Sequence, residues 1–232
     1  MNFPTDGGPI YSETDLSRFP VEPWNACSLI VFLVIVIYWA WRVRKSRAPQ
    51  RLIRYSLPLL FVGFIGGAAY HATRSNQIWL IMDYLPILLL AFSAAAHFWI
   101  QLRNSSRSAY NKALFSIVIL ITSSFLLQSF PKQVWICATY LNLSALTLLP
   151  AFILAGSQGR RGIRLLLLAS FVFLSAVVFR MIDFIPAFKP LFPMGTHFLW
   201  HILGGLAAHY LIIFIYELEE EKYSTLSNRA LD

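Results

Sequence analysis

Apolar stretches at about 26–41, 55–70, 78–100, 113–130, 134–155, 165–182 and 197–216 divide the chain, and short polar connectors separate them. At about 1.5 Å per helical residue, each crosses or nearly crosses a hydrocarbon layer of about 30 Å, the shorter ones with help from their polar flanks. The pattern predicts an all-α, polytopic membrane protein, a seven-transmembrane helix bundle, with the chain 1–232 forming a single domain.

The connectors are unequal. Arg42, Arg44, Lys45, Arg47, Arg51 and Arg54 follow the first stretch; Arg103, Arg107 and Lys112 follow the third; Arg160, Arg161 and Arg164 follow the fifth. With Lys222 and Arg229 of the tail, 14 of the 19 Lys and Arg fall on one side. The positive-inside rule makes that side cytoplasmic. Residues 1–24 are then an extracytoplasmic or lumenal segment and 217–232 a cytoplasmic tail. Tryptophans agree with this map: Trp39, Trp41 and Trp99 fall near inner ends, and Trp24, Trp79, Trp135 and Trp200 near outer ends.

Composition sharpens the class: 57% of residues are hydrophobic and 13% charged, and the mean hydropathy is +0.61. The +8 net charge follows from topology, so a nucleic-acid partner is not expected. Asp6, Glu13, Asp15 and Glu22 interrupt the first 24 residues, which lack the basic-then-apolar pattern of a cleavable signal peptide. Cys27 and Cys137 fall in apolar stretches and read as small buried hydrophobes.

Placed by depth, His71, Asp83, Asp183, His197 and His201 all sit near the outer end of their stretches. Ionisable groups cost about +2.5 to +3.5 kcal/mol each on insertion scales, so they turn inward and find partners. His197 and His201, four residues apart, share one helix face about 40° and roughly 6 Å apart. Taken alone, that pair also suits helix packing; five ionisable residues at one depth on four stretches favour a metal or proton-handling site. Three imidazoles and a carboxylate suit zinc with an open fourth position, and Asp83 can hold a water, accept its proton and return it to a leaving group. Asp183 either orients a histidine or pairs with Arg180. His97, deeper by some 20 Å, and His209 read as packing or interhelical groups. The run Glu217, Glu219, Glu220, Glu221 reads as a solvated helix end, and Gly204-Gly205 with Ala207-Ala208 as close helix packing. A transporter would need polar groups through the inner half, where the chain offers only His97 and His209 and no carboxylate.

His71-Ala72-Thr73, Met82-Asp83-Tyr84-Leu85-Pro86, Met181-Ile182-Asp183 and His197-Phe198-Leu199-Trp200-His201 resemble, in order, the motifs of the alkaline ceramidase family, and Glu22-Pro23-Trp24-Asn25 resembles its entry to the first span. That family belongs to a seven-span hydrolase superfamily with the progestin and adipoQ receptors. The resemblance implies zinc-dependent amide hydrolysis of ceramide or a related N-acyl lipid, giving a sphingoid base and a free fatty acid. It assigns His71, His197 and His201 to zinc and Asp83 to activating the water. It also raises calcium binding by Glu13, Asp15, Glu22 and Asn25, against a plain solvated segment. Where the family usually has a serine, this chain has Gly67. The alternative function is a seven-span receptor, or an inactive relative, with structural zinc.

Overall fold

The computed structural model describes residues 4, 6–126, 129–156 and 160–229, and those residues form helices without strands. Pro23–Ser28 and Ile30–Arg44 run on through Leu29, whose φ of −65° and ψ of −14° stay helical, as one helix α1 (Pro23–Arg44). There follow α2 (Arg51–Thr73), α3 (Gln77–Ser105), α4 (Arg107–Leu126), α5 (Lys132–Ala155), α6 (Arg160–Ile182) and α7 (His197–Arg229). Most extend beyond the apolar stretches that predict them, because a helix does not end where its residues become polar. α7 carries the acidic run with it.

Six of these helices, all but α4, are long and apolar enough to cross a membrane. The expected fourth stretch, 113–130, lies on α4 and its exit; α4 brings in Arg107, Asn111 and Lys112 and ends at Leu126, and residues 127–128 of that stretch lie outside the described residues. Neighbouring helices explain why α4 is needed. Thr147 of α5 donates to the carbonyl of Ala91 in α3 at 3.2 Å, and Trp99 of α3 donates to that of Leu146 at 2.9 Å. Tyr140, early in α5, lies within electrostatic reach of Asp83, early in α3. α3 and α5 thus run in the same direction, and α4 returns the chain between them, packed on both. The other helices close a ring through the neighbours α1–α2, α2–α3, α3–α5, α5–α6, α6–α7 and α7–α1.

The outer faces stay apolar. Ile30, Val34, Ile37 and Trp41 of α1, and Leu167, Phe171, Leu174 and Val178 of α6, form exposed stripes at helical spacing. Water would penalise such stripes and lipid does not. Inside, Trp39, Ile53, Phe98, Leu102, Leu166 and Phe214 fill the half of the ring near the basic connectors. Gly205 meets Val31 so closely that a Cβ there would lie 2.9 Å from it, whereas Gly204 faces open space; only the former packs helices. His209 accepts a hydrogen bond from the Trp39 indole at 3.0 Å, tying α7 to α1 as an interhelical group. His97 bonds Gln101 and lies 3.7 Å from Glu219. The acidic run is more than a solvated end: Glu217 pairs with Arg161, and Glu220 gathers Ser46, Ala48 and Gln50. Cys137 is buried, but Cys27 is exposed on the outer face.

Candidate metal centre

A helix end leaves its last carbonyls without partners. At the end of α2, Arg74 adopts the left-handed conformation (φ 49°) and closes the helix with its N–H on the carbonyl of Tyr70 at 2.8 Å. The carbonyls of His71 and Ala72 instead accept N–H groups from Glu22 at 3.0 Å and Val21 at 2.9 Å, so residues 6–22 dock across this end of the bundle. That docking places the Glu22 carboxylate 2.5 Å from His71 Nδ1. A carboxylate only accepts, so the ring proton belongs on Nδ1 and the Nε2 lone pair is left free. His71 Nε2 is buried and has no hydrogen-bond partner.

The other two histidines open α7. Its first amides, of Thr196 and His197, donate to Asp183 Oδ1 at 2.7 and 3.1 Å, and Ser12 N donates to Oδ2 at 3.0 Å. Asp183 therefore caps α7 from the end of α6 and touches no histidine ring; it does not pair with Arg180 either. Gly195 makes this approach feasible, with φ +72° and a position where a Cβ would lie 2.4 Å from Asp183 Oδ1. Ser28 Oγ donates to the carbonyl of Asn25 at 2.7 Å and lies 2.8 Å from His201 Nδ1. The network puts the His201 proton on Nδ1, directed at Ser28, and frees the opposite nitrogen. His197 stacks on the Tyr11 ring at 3.9 Å between centroids.

These three buried imidazoles meet. One ring nitrogen from each of His71, His197 and His201 lies within 4.8 Å of the others, against about 3.3 Å between ligand nitrogens on a tetrahedral zinc with bonds of about 2.0–2.1 Å. Two of the rings carry a polar partner on the nitrogen facing away, the arrangement that fixes tautomer and aim in metal-binding histidines. The donor set fits a metal ion. Asp83 stands on α3 against Gly67, where an added Cβ would lie 2.5 Å from Asp83 Oδ1 and 2.9 Å from Leu29; a serine hydroxyl there would displace the carboxylate. Asp83 also lines a small, otherwise apolar crevice with Leu29, Phe32, Leu60, Gly63, Pro86 and Leu90 among others.

Of the expected calcium ligands, Glu13, Asn25 and Glu22 adjoin: Asn25 donates its amide N–H to Glu13 and its Nδ2 to Glu22 at 3.2 Å, and its Oδ1 is buried without a partner. Glu13 accepts the amides of Trp24 at 2.6 Å and Asn25 at 3.0 Å, capping α1. Burial raises its pKa above the usual value, although those two bonds oppose the rise. Asp15 is half exposed and bonded to Ser17. Glu22 is taken by His71, by Thr14 and by the Arg74 guanidinium. Arg74, in the connector between α2 and α3, is 2% exposed and bridges Glu22 to Asp6. Burial works against charge on Glu22, but His71 and then Arg74 outweigh it and hold the carboxyl below its ordinary range. The Arg74 guanidinium therefore already neutralises Glu22. Among the described residues, the three histidines are the one group of His, Cys, Asp and Glu close enough to share an ion.

Sequence spacing did not identify Glu22 as the partner of His71, or Arg74, Ser28 and Tyr11 as parts of the site. Glu22→Gln tests the first of these. The substitution is expected to lower metal affinity about 10- to 100-fold, read by chelator competition, and an unchanged affinity would remove Glu22 from the centre.

A family model described as Ceramidase matches residues 14–229. No curated protein matches the chain.

Proposed function

Because this chain belongs to the ceramidase family, we propose that it is a membrane-embedded, zinc-dependent amidohydrolase that cleaves ceramide or a related N-acyl lipid to a sphingoid base and a free fatty acid. The observation that carries the reading is the buried histidine trio, with the Nε2 of His71 left unpartnered. The absence of cysteine from the trio favours an open site over a closed structural one. A zinc ion bound there would bring the pKa of a water toward about 7 and polarise an acyl carbonyl.

The protein's own groups supply the rest. Asp83 accepts the proton of the attacking water and returns it to the amine that leaves, which balances the hydrolysis without another base. The crevice that Asp83 lines between α1, α2 and α3 is otherwise apolar and holds only about 20 Å³, room for a water beside the carboxylate and not for an acyl chain. The dry inner core supports a site closed toward the basic connectors and counts against transport. In this reading α4 completes seven spans, the amino terminus is extracytoplasmic or lumenal, and the carboxyl terminus is cytoplasmic.

The test is fatty-acid release from a panel of N-acyl lipids by purified protein in micelles, with metal content measured alongside. The expected result is one zinc per chain and multiple turnovers on at least one lipid. Asp83→Asn should keep the metal and lose about 10²- to 10⁴-fold in rate. Bound metal with no release from any lipid would overturn the hydrolase in favour of a receptor or inactive relative, a reading that Gly67, in place of a hydroxyl donor, makes specific.

A further inference from the structure

Two arginines are buried near the centre, and they differ in one respect. Arg74 has two carboxylates. Arg180, on α6 and 5% exposed, has no carboxylate partner among the described residues; its guanidinium comes within hydrogen-bonding reach of the Tyr11 hydroxyl and the Cys137 thiol, and its Nε is buried without a partner. Asp183, three residues on, is already committed to the amides of Thr196, His197 and Ser12. Its Cζ also lies against two ring faces, 5.3 Å from the Trp200 ring centroid and 5.7 Å from that of Tyr140. Its charge reaches the Tyr11 hydroxyl, Asp83, His197 and His201.

Ring faces, a phenol and a thiol steady a cation but supply no counter-charge and leave the Nε donor unsatisfied, and a charge without a carboxylate in this setting is costly to keep. Such a group completes its partners with a ligand. The ligand must be anionic or become so, must present oxygen acceptors to a planar fork, and must arrive beside the histidine trio. A sphingoid amine is excluded by its charge. The acyl oxygen satisfies all three conditions.

We infer that Arg180 is a catalytic residue of this site, donating to the acyl carbonyl oxygen as that oxygen gains charge and then to the carboxylate of the released fatty acid. The inference rests on the hydrolase reading. As the water oxygen bonds to the acyl carbon, the carbonyl π pair moves onto the acyl oxygen, which the guanidinium stabilises. When the C=O bond re-forms, the C–N bond breaks and the amine leaves with the proton held by Asp83; the fatty acid then gives the remaining water proton to the free amine and is left as the carboxylate. Fixed donors aimed at such an oxygen act most strongly in a dry site, and removing one costs about 10²- to 10³-fold in kcat.

The experiment compares wild type, Arg180→Gln and Arg180→Lys, each purified and zinc-loaded. It follows kcat and KM on the lipid that wild type turns over, metal content, thermal melting, and oleate affinity by titration without substrate. The expected result for Arg180→Gln is a kcat about 10²- to 10³-fold lower with metal content kept and oleate affinity at least ~10-fold weaker. Arg180→Lys, which keeps the charge but loses the fork, should fall between. If Arg180→Gln melts below the assay temperature, Arg180→Lys decides. Wild-type kcat and oleate affinity in a folded, metal-bound variant would overturn the assignment. A wild type that releases no fatty acid would instead overturn the hydrolase, and the oleate titration would still judge Arg180 as the carboxylate-binding group.

Discussion

His197→Ala is expected to empty the metal centre and to reduce fatty-acid release to background. His197 is one of three imidazoles that could share an ion, with no carboxylate or thiolate among the described residues to replace it, and two imidazoles offer a divalent ion too little. Metal analysis after dialysis should fall from one zinc per chain to a small fraction. His71→Ala and His201→Ala should behave alike, and a double substitution should cost no more than a single one, because groups that act as a unit are not additive. The substitution also removes the ring stacked on Tyr11 at 3.9 Å, worth about 0.5–1.5 kcal/mol, so melting is compared as well. His209→Ala is the matched control on the same helix. It loses the bond from Trp39, about 1 kcal/mol of stability, and should keep both metal and turnover. Retention of metal and release by His197→Ala would sink the assignment.

The helices were legible because a membrane imposes their length: each apolar stretch long enough to cross marks a helix, and each basic connector marks a side. The fourth stretch resists the same treatment, since Arg107, Asn111 and Lys112 at one end of α4 dilute its apolarity and only its packing between α3 and α5 shows its course. The trio was legible in part for a local reason. His197 and His201 share a helix face by spacing, and His71 joins them by depth. Partners that come from other elements leave no such trace. Glu22 lies 49 residues from His71 in the chain, and Asp183 looks like a histidine partner until α7 is seen to begin against it. The basic residues carry a further signal. Of the 19 Lys and Arg, only Arg18, Arg74, Lys132, Arg180 and Lys189 lie away from the basic side, and two of these five, Arg74 and Arg180, are the buried ones. A cation that violates the topological bias has some other reason to be there.

For Arg74 that reason is structural, and Arg74→Met should be among the most damaging substitutions in the chain. The guanidinium donates to Asp6 through Nε at 2.7 Å and Nη2 at 3.1 Å, to the carbonyl of Pro9 at 3.0 Å, and to Glu22 through Nη1. Hydrogen bonds to both carboxylates keep it charged despite burial that works the other way. Methionine preserves the volume of the stem but leaves two buried carboxylates facing each other. Removing one partner of a buried pair costs about 3–5 kcal/mol, and the cheapest relief is for residues 6–22 to lift away so that Asp6 reaches water. The expected outcome is a melting temperature lowered by several degrees, faster proteolysis within residues 6–22, and weaker metal binding, because the segment that lifts carries the Glu22 carboxylate away from His71. Adding Asp6→Asn to Arg74→Met removes one of the stranded charges and should restore part of the stability. It should restore little of the metal affinity unless Glu22 returns to the ring. Calcium separates the roles further. In wild type the guanidinium occupies the oxygens of Asp6 and Glu22, so millimolar calcium should leave melting unchanged; in Arg74→Met those oxygens are released and calcium should raise it. A calcium-dependent shift in wild type, or Arg74→Met melting with wild type, would show that the clamp does not rest on this arginine.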